Sequence, residues 1–430
     1  MEMQLKRALL SICLCVLGGL TKAPAAELQA GAAKVEITPP IGYAMWGYSA
    51  RHDAPSEGVL DPLHARALVL AVGDEKIAIV SLDLGRAPTR DSTAAIREKV
   101  KKAAGIEHIF LCASHTHHGP VVELDNWPDA KKSYARDLEQ KLADIIVGAN
   151  KALKPARIGI ASKETKFNRN RHSKRDEKPV DSELLVLRLE DTDGKPIAHA
   201  VNFAAHATMQ DAKVLKFSAD YPGALAALVE KETGAPCLFL QGAAGDLSTN
   251  PGNASGPEKF GQALGREVLA LAQAIRCTAP EKSSLAVRED DFEFKSRIDL
   301  SNPLIRAAYN KAFFSDLIAF YEREYREGIR PHLTTALLNG NLGFVGVSGE
   351  FFCSHSLSLK RRARLEHVFF LGYCNDYQQY FPTIEAAAEG GYGAEAMVSP
   401  VEIGAGERVM DRALIQLYKM RGKWEEPRRE

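Results

Sequence analysis

The chain carries no net charge: Lys plus Arg equals Asp plus Glu at 55 each over 430 residues. Without an excess of either sign there is no field to draw in a polyanion or an acidic membrane surface, so nucleic-acid binding is not expected. The run Lys360-Arg361-Arg362-Ala363-Arg364 continues a helical segment and reads as a solvated helix face. Cysteine is scarce as well, with seven in all. Cys13 and Cys15 fall in an N-terminal apolar run. The other five, Cys112, Cys237, Cys277, Cys353 and Cys374, are odd in number and widely spaced. That excludes a disulfide scaffold and a CxxC zinc site, and leaves buried small hydrophobes, although export would permit a bridge or two. Low-complexity tracts, linkers rich in Pro, Gly or Ser, and internal sequence repeats are absent too. The apolar run 8–20 is too short for a comfortable membrane span. It follows Lys6 and Arg7 and precedes the small residues Ala23-Pro24-Ala25-Ala26, the layout of a secretory signal peptide. The expectation is an exported protein, periplasmic or extracellular, with residues 1–26 as the signal and 27–430 as one domain.

Apolar strand-like runs alternate with amphipathic stretches over the rest. Residues 67–72 and 76–82 predict a hairpin around Gly73-Asp74, followed by a helix at 93–104, a strand at 109–113 and a long helix at 133–153. Strands at 184–189 and 197–203 precede a helix at 222–233, a strand at 237–241 and a helix at 257–275. Later come a strand at 344–347, a helix reaching 365, a strand at 368–371 and a closing helix at 407–420. This rhythm predicts an α/β fold, a mixed-sheet α/β sandwich with helices on both faces and chemistry at strand ends. A soft boundary lies near Thr278-Ala279-Pro280. Chemistry-bearing loops fall on both sides of it, which argues for a single cooperative domain.

Three histidines lie in Ser114-His115-Thr116-His117-His118-Gly119-Pro120, just past the apolar strand His108-Ile109-Phe110-Leu111-Cys112-Ala113. In an extended chain His115 and His117 face one site and His118 points away. Alone, this is either a metal pair or a set of capping histidines. A second apolar strand, Ala200-Val201-Asn202-Phe203-Ala204-Ala205, ends on His206, and a third, Phe344-Val345-Gly346-Val347-Ser348-Gly349, ends on Glu350. Two His and one Glu form a common catalytic zinc set that leaves a position for water. The loop Gln241-Gly242-Ala243-Ala244-Gly245-Asp246-Leu247-Ser248-Thr249-Asn250 offers either N–H groups for an oxyanion with Ser248 as nucleophile or donor, or an ordinary turn capped by Asp246 and Asn250. Tyr380 and Tyr392 lie in polar aromatic loops, and a phenol near a metal can ligate it or steady an oxyanion. Arg169 has the planar fork to orient a carbonyl.

Taken together, these segments resemble the neutral ceramidase family, zinc-dependent amidases that cleave ceramide into a fatty acid and a sphingoid base. The likeness begins at Gly31-Ala32-Ala33-Lys34-Val35-Glu36-Ile37-Thr38-Pro39-Pro40. It runs through the His115 segment, Phe167-Asn168-Arg169, Asn202 to His206, Ser218-Ala219-Asp220-Tyr221-Pro222-Gly223 and Gly245 to Asn250, and ends with Gly349-Glu350-Phe351 and Asn375 to Tyr380. It implies one zinc held by His115, His206, Glu350 and Tyr380. His117 is then a proton donor or substrate contact, Arg169 and Tyr392 line the site, and Ser248 is a nucleophile or an oxyanion donor. By that likeness the chain is expected to be shorter than typical members and to lack their C-terminal β-sandwich. Ser is replaced by His118 and Pro by Thr249, and the segment after Arg169 is highly charged. The expected substrate is ceramide or a related N-acyl lipid, with transient contact to membrane lipid and an oligomeric state that the sequence does not fix. The alternatives are a polar ester, lactone or amino-sugar amide on the same zinc scaffold, or a non-catalytic secreted binding protein.

Overall fold

Three times along the chain the same order of elements recurs: three antiparallel strands, a helix, and a fourth strand parallel to the third. In the computed structural model, which describes residues 27–125, 131 and 133–423, the first unit comprises Leu28–Glu36, His64–Val72, Glu75–Leu82, the helix Arg90–Ala104 and His108–Ala113. The second comprises Lys154–Glu164, Glu183–Asp191, Pro196–Phe203, the helix Asp220–Thr233 and Cys237–Gln241. The third comprises Leu285–Asp291, His332–Leu338, Leu342–Val347, the helix Cys353–Ala363 and His367–Leu371. A further helix follows each fourth strand: Tyr134–Lys151, Pro257–Ala274 and Ala405–Met420. No repeat was expected from the sequence, yet the topology repeats three times. The segment 278–280 is the seam between the second and third units. The proposed signal segment lies outside the described residues.

The first two units share one eight-stranded mixed sheet, joined at its middle by the pairs Gln29↔Pro155 and Ala30↔Lys154. Both first strands start at that seam and run away from it. The third unit is a separate four-stranded sheet. Apolar side chains from all three, among them Leu68, Ile79, Phe110, Leu187, Leu238, Phe344 and Phe369, form one buried cluster between the sheets. Strands buried on both faces read as continuous apolar runs rather than alternating ones. Gly346 admits the ring of Phe110, which a Cβ would meet at 2.8 Å. Burial of that ring contributes roughly 1.5–3 kcal/mol. The helices cover the outer faces through separate apolar clusters. The helix Arg90–Ala104 shows why they form there: Thr89 caps it by accepting from Ser92 N–H, Ile96 and Val100 face the core one turn apart, and Gly105 ends it in the left-handed region.

The predicted mixed α/β sandwich is observed, with elements that the sequence reading missed. Among these are the polar first strands of the units, the strand His332–Leu338 and, between the first two strands of the third unit, the helices Pro303–Tyr309 and Ser315–Arg326. The five described cysteines are free, four of them buried. Lys360 departs from its expected solvated place: it is paired with Asp181 at 2.8 Å and Glu183 at 2.9 Å. No helix among the described residues is long and apolar enough to cross a membrane.

The repeat aims the functional loops at one point. Counting three residues past the end of each third strand leads from Leu82 to Gly85, from Phe203 to His206 and from Val347 to Glu350. All three positions meet at the site described next.

Candidate active site

His115 stands in the left-handed region at φ 63°, a conformation uncommon for a residue with a Cβ. Its N–H bonds the Leu84 carbonyl at 3.0 Å, and its ring Nδ1 lies 2.7 Å from the Gly85 carbonyl. A carbonyl only accepts, so Nδ1 carries a proton, which in the neutral ring leaves the lone pair on Nε2. His206 repeats the device, with Nδ1 2.7 Å from the Ala244 carbonyl. This carbonyl-anchored tautomer is the one a metal-ligating histidine adopts. The two freed Nε2 atoms face the same oxygen, Oε2 of Glu350, at 3.4 Å from His115 and 3.0 Å from His206. His117 adds a third nitrogen, its Nε2 3.2 Å from that of His115, and the ligand atoms of the three histidines lie within 4.8 Å of one another. The Tyr380 hydroxyl completes the group at 3.3 Å from His206 Nε2.

Burial sets the charges. His206 is pushed down to about 4 by burial, with the charge of Arg171 adding to it. His117 is held well below its usual value, first by burial and then by His115 and His206. Burial alone would raise Glu350, yet the neighbouring His115 and His206 pull its carboxyl well below the usual range. Burial and the charge of Glu350 hold Tyr380 well above the ordinary phenol value. The site is therefore a set of acceptor atoms with the Arg171 guanidinium beside them as a fixed positive charge. Tyr377 donates its hydroxyl to Glu350 Oε1, Tyr373 reaches Oε2 at 3.4 Å, and the Tyr373 ring stacks on His115 at 4.2 Å.

His115, His206, Glu350 and Tyr380 thus lie together, though strand alternation does not bring them there, because residues 114–119 are a loop. His118 turns away, its Nε2 against Arg51 and the Asp211 carbonyl. Ser248 sits in the short strand Leu247–Thr249, bridged to His206 on one side and paired with Arg169 on the other. Two N–H groups of the glycine loop are already taken: Gly242 N–H bonds the Phe203 carbonyl and Gly245 N–H the Phe351 carbonyl. Asp246 is the capping residue, accepting from Asn170 and from Cys353 N–H at 2.7 Å each. Tyr392 is 62% exposed, with its ring 5.7 Å from that of Tyr380, which places it at the mouth.

Arg169 is not brought in. It is exposed, and its Nε lies 3.4 Å from the Thr249 carbonyl. Two residues on, Arg171 reaches His206 Nε2 at 2.8 Å, the Tyr380 hydroxyl at 3.1 Å and the Gly245 carbonyl at 3.1 Å. Asn170 makes the difference: its Oδ1 accepts from His172 N–H and Ser173 N–H, an Asx turn that ends the strand and directs Arg171 inward. The signal was present as a second arginine in Asn168-Arg169-Asn170-Arg171. Also missed was Trp46, whose ring centre lies 5.2 Å from that of His115 and 5.5 Å from that of His117 in T-shaped contacts.

Beside the cluster opens a pocket of about 690 Å³, counted to its open mouth, with Trp46, Tyr48, Phe313, Phe314 and Leu317 on its walls and His117, Glu350, Tyr380 and Tyr392 at one end. Clefts of about 1100 to 1400 Å³ elsewhere are larger, but the clustered histidines line none of them.

The family model described as neutral/alkaline non-lysosomal ceramidase, N-terminal, matches residues 28–262, more than half of the chain. Among solved structures, neutral ceramidase from Pseudomonas aeruginosa is similar at a TM-score of 0.75 and 19% identity, over 94% of this chain and 76% of that one. A ceramidase complexed with C2 matches at 0.74 and 18%, over 93% and 76%. The family match takes in the first two units; the fold likeness extends to the third, which carries Glu350 and Tyr380.

Proposed function

Because the chain belongs to the neutral/alkaline non-lysosomal ceramidase family, a ceramidase-type hydrolase, we propose that it is a zinc-dependent amidase cleaving the N-acyl bond of ceramide or a related N-acyl lipid. The observation that carries the zinc reading is the facing of lone pairs. Two imidazole nitrogens with their protons locked on the far side point at one carboxylate oxygen at 3.0 and 3.4 Å. Arg171 meets one of these lone pairs, at His206 Nε2, but the two imidazoles and the carboxylate still face one another as acceptors, an arrangement that a cation between them relieves, and two His with one Glu suit zinc. His115, His206 and Glu350 would hold the ion, with Tyr380 as fourth ligand. When bound, zinc supplies Lewis acidity at the scissile carbonyl and lowers the pKa of a water toward neutrality.

The chain's own groups account for the rest. Arg171 presents its fork beside the Tyr380 hydroxyl, where charge develops on the carbonyl oxygen. His117, kept a free base by burial, takes a proton at Nε2 and returns it to the departing amine. Ser248, beside His206, has no base in hydrogen-bond reach among the described residues, which favours a donor role over a nucleophilic one. The aromatic and aliphatic walls of the pocket favour an acyl chain over a polar ester, lactone or amino-sugar amide. Export through residues 1–26 and a single hydrolase domain over 27–430 belong to the same reading; N-terminal sequencing of secreted protein would check the first.

Metal analysis and hydrolysis of N-acyl substrates by wild type and His206→Ala test the proposal. Stoichiometric zinc and amide cleavage in wild type, both lost in the variant, are expected. Full activity in His206→Ala would refute the role of zinc.

A further inference from the structure

Below the pocket, one layer behind the histidine cluster, lies a buried ion network that the chemistry above does not use. Arg86, 1% exposed, has Asp376 at 2.8 Å and Glu123 at 3.6 Å, and its guanidinium lies 5.4 Å from the centre of the Tyr377 ring. Two carboxylates on one guanidinium leave acceptor capacity over, and Glu123 directs it to the pocket. Its Oε1 accepts from Trp46 Nε1 at 2.9 Å and from the Tyr321 hydroxyl at 3.1 Å, while Oε2 accepts from Val122 N–H at 3.0 Å. Burial and the charge of Glu123 keep Tyr321 a phenol, hence a donor.

Trp46 and Tyr321 both line the pocket, and one carboxylate holds each by its polar tip. What remains for the pocket is hydrocarbon of fixed orientation. The indole is seated further by Gly85, where a Cβ would meet Trp46 Cε3 at 2.2 Å. The imidazoles of His115 and His206 are anchored separately, on the Gly85 and Ala244 carbonyls. Loosening the tether frees the wall without releasing those anchors. Buried charges are costly to keep, so one that fixes two pocket rings is best understood through what it positions.

We infer that Glu123 is a specificity-determining positioning residue: by tethering Trp46 and Tyr321 it sets the width of the apolar slot beside the histidine cluster, and thereby the acyl chain that the site accepts. The inference rests on the N-acyl amidase reading for the identity of the occupant. It does not depend on that reading for the existence of the slot.

The test compares wild type, Tyr321→Phe and Glu123→Gln on N-acyl sphingosines of short, medium and long acyl chain. Tyr321→Phe removes one hydroxyl and keeps the ring, so it carries the test if Glu123→Gln does not fold. Loss of a hydrogen bond to a charged acceptor predicts a rise in KM of about tenfold for the long chain. The expected pattern keeps kcat within about twofold, the short-chain KM unchanged and the bound zinc undiminished. Equal changes at every chain length, a fall in kcat alone, or no change would overturn it. Binding of free fatty acids of the same lengths, read by tryptophan fluorescence with Trp46→Phe as control, separates the two readings. If wild type cleaves no amide yet binds long chains that Tyr321→Phe binds weakly, the amidase reading fails and the slot stands. If both bind alike, the slot fails whatever the activity.

Discussion

If Tyr380 joins the metal as a phenolate, zinc must expel its proton, and that proton can be counted. Burial and the charge of Glu350 hold the Tyr380 hydroxyl well above its ordinary value, so at pH 7 the free protein carries the phenol. His206 at about 4 and Glu350 far below its usual range are already unprotonated at that pH and release nothing. Other sources, including a water acidified by the ion, are common to wild type and Tyr380→Phe and cancel in the difference. Wild type should therefore release about one proton more per zinc than Tyr380→Phe. Calorimetric titration of the metal-free protein with zinc, in two buffers of different ionisation enthalpy, measures the difference. Equal counts would refute phenolate ligation; no zinc binding at all in wild type would refute the whole donor set. Stability gives a second reading of the same event. Zinc at about a hundred times its Kd adds about 2.7 kcal/mol, which at about 2 cal/mol/K of unfolding entropy per residue raises the Tm by about 3 °C. His206→Ala should abolish that rise.

Three further outcomes follow from the geometry. Arg171→Ala should lower kcat/KM by about a hundredfold, the scale of one lost oxyanion donor, whereas Arg169→Ala should leave it within about twofold; the reverse order would reinstate Arg169. Ser248→Ala should retain measurable turnover, down by about 10²-fold as for a lost donor, and complete loss with intact zinc binding would make Ser248 the nucleophile. His199, buried in the strand Pro196–Phe203, is pushed down to about 4 by burial and then by Arg188, below its unfolded value of 6.5. The unfolded chain therefore binds the extra proton as pH falls through 6.5, and the stability held above that value drains away toward 4. Urea unfolding should show about 2 kcal/mol lost through this group between pH 7 and pH 5, and a smaller loss in His199→Gln; identical losses would refute the assignment.

What the sequence made legible was set by burial. Each unit's third and fourth strands lie buried between a sheet and a helix layer, so Glu75–Leu82, Pro196–Phe203, Cys237–Gln241 and Leu342–Val347 read as apolar runs, and the groups at their ends stood out. The first strands are different. Lys154–Glu164 is largely half-exposed, and Leu285–Asp291 ends in four charged residues, so hydrophobic pattern does not mark them as strands. His332–Leu338 was missed although buried, because Thr334 and Thr335 break its apolar run. With this strand and the first strand of each unit unseen, the threefold order was unseen too. Arg171 was missed for a local reason. It stands two residues from Arg169, so strand periodicity gives both the same face, and the turn made by the Asn170 side chain selects between them.

The repeat explains why so few residues suffice to build the centre. A strand that ends in a loop leaves the third following residue at a place set by the sheet, and three copies of that geometry bring Gly85, His206 and Glu350 together. The three positions are chemically unlike. The second and third carry the side chains proposed as ligands. The first supplies a carbonyl that fixes the tautomer of His115, which arrives from the neighbouring fourth strand in a strained conformation. A glycine is needed there because a Cβ would collide with Trp46, the residue that Glu123 holds in the pocket wall. One position thus couples the ligand set to the apolar slot. A side chain at 85 would disturb the tautomer of His115 and the seat of Trp46 together, whereas a change at Tyr321 would move the wall alone.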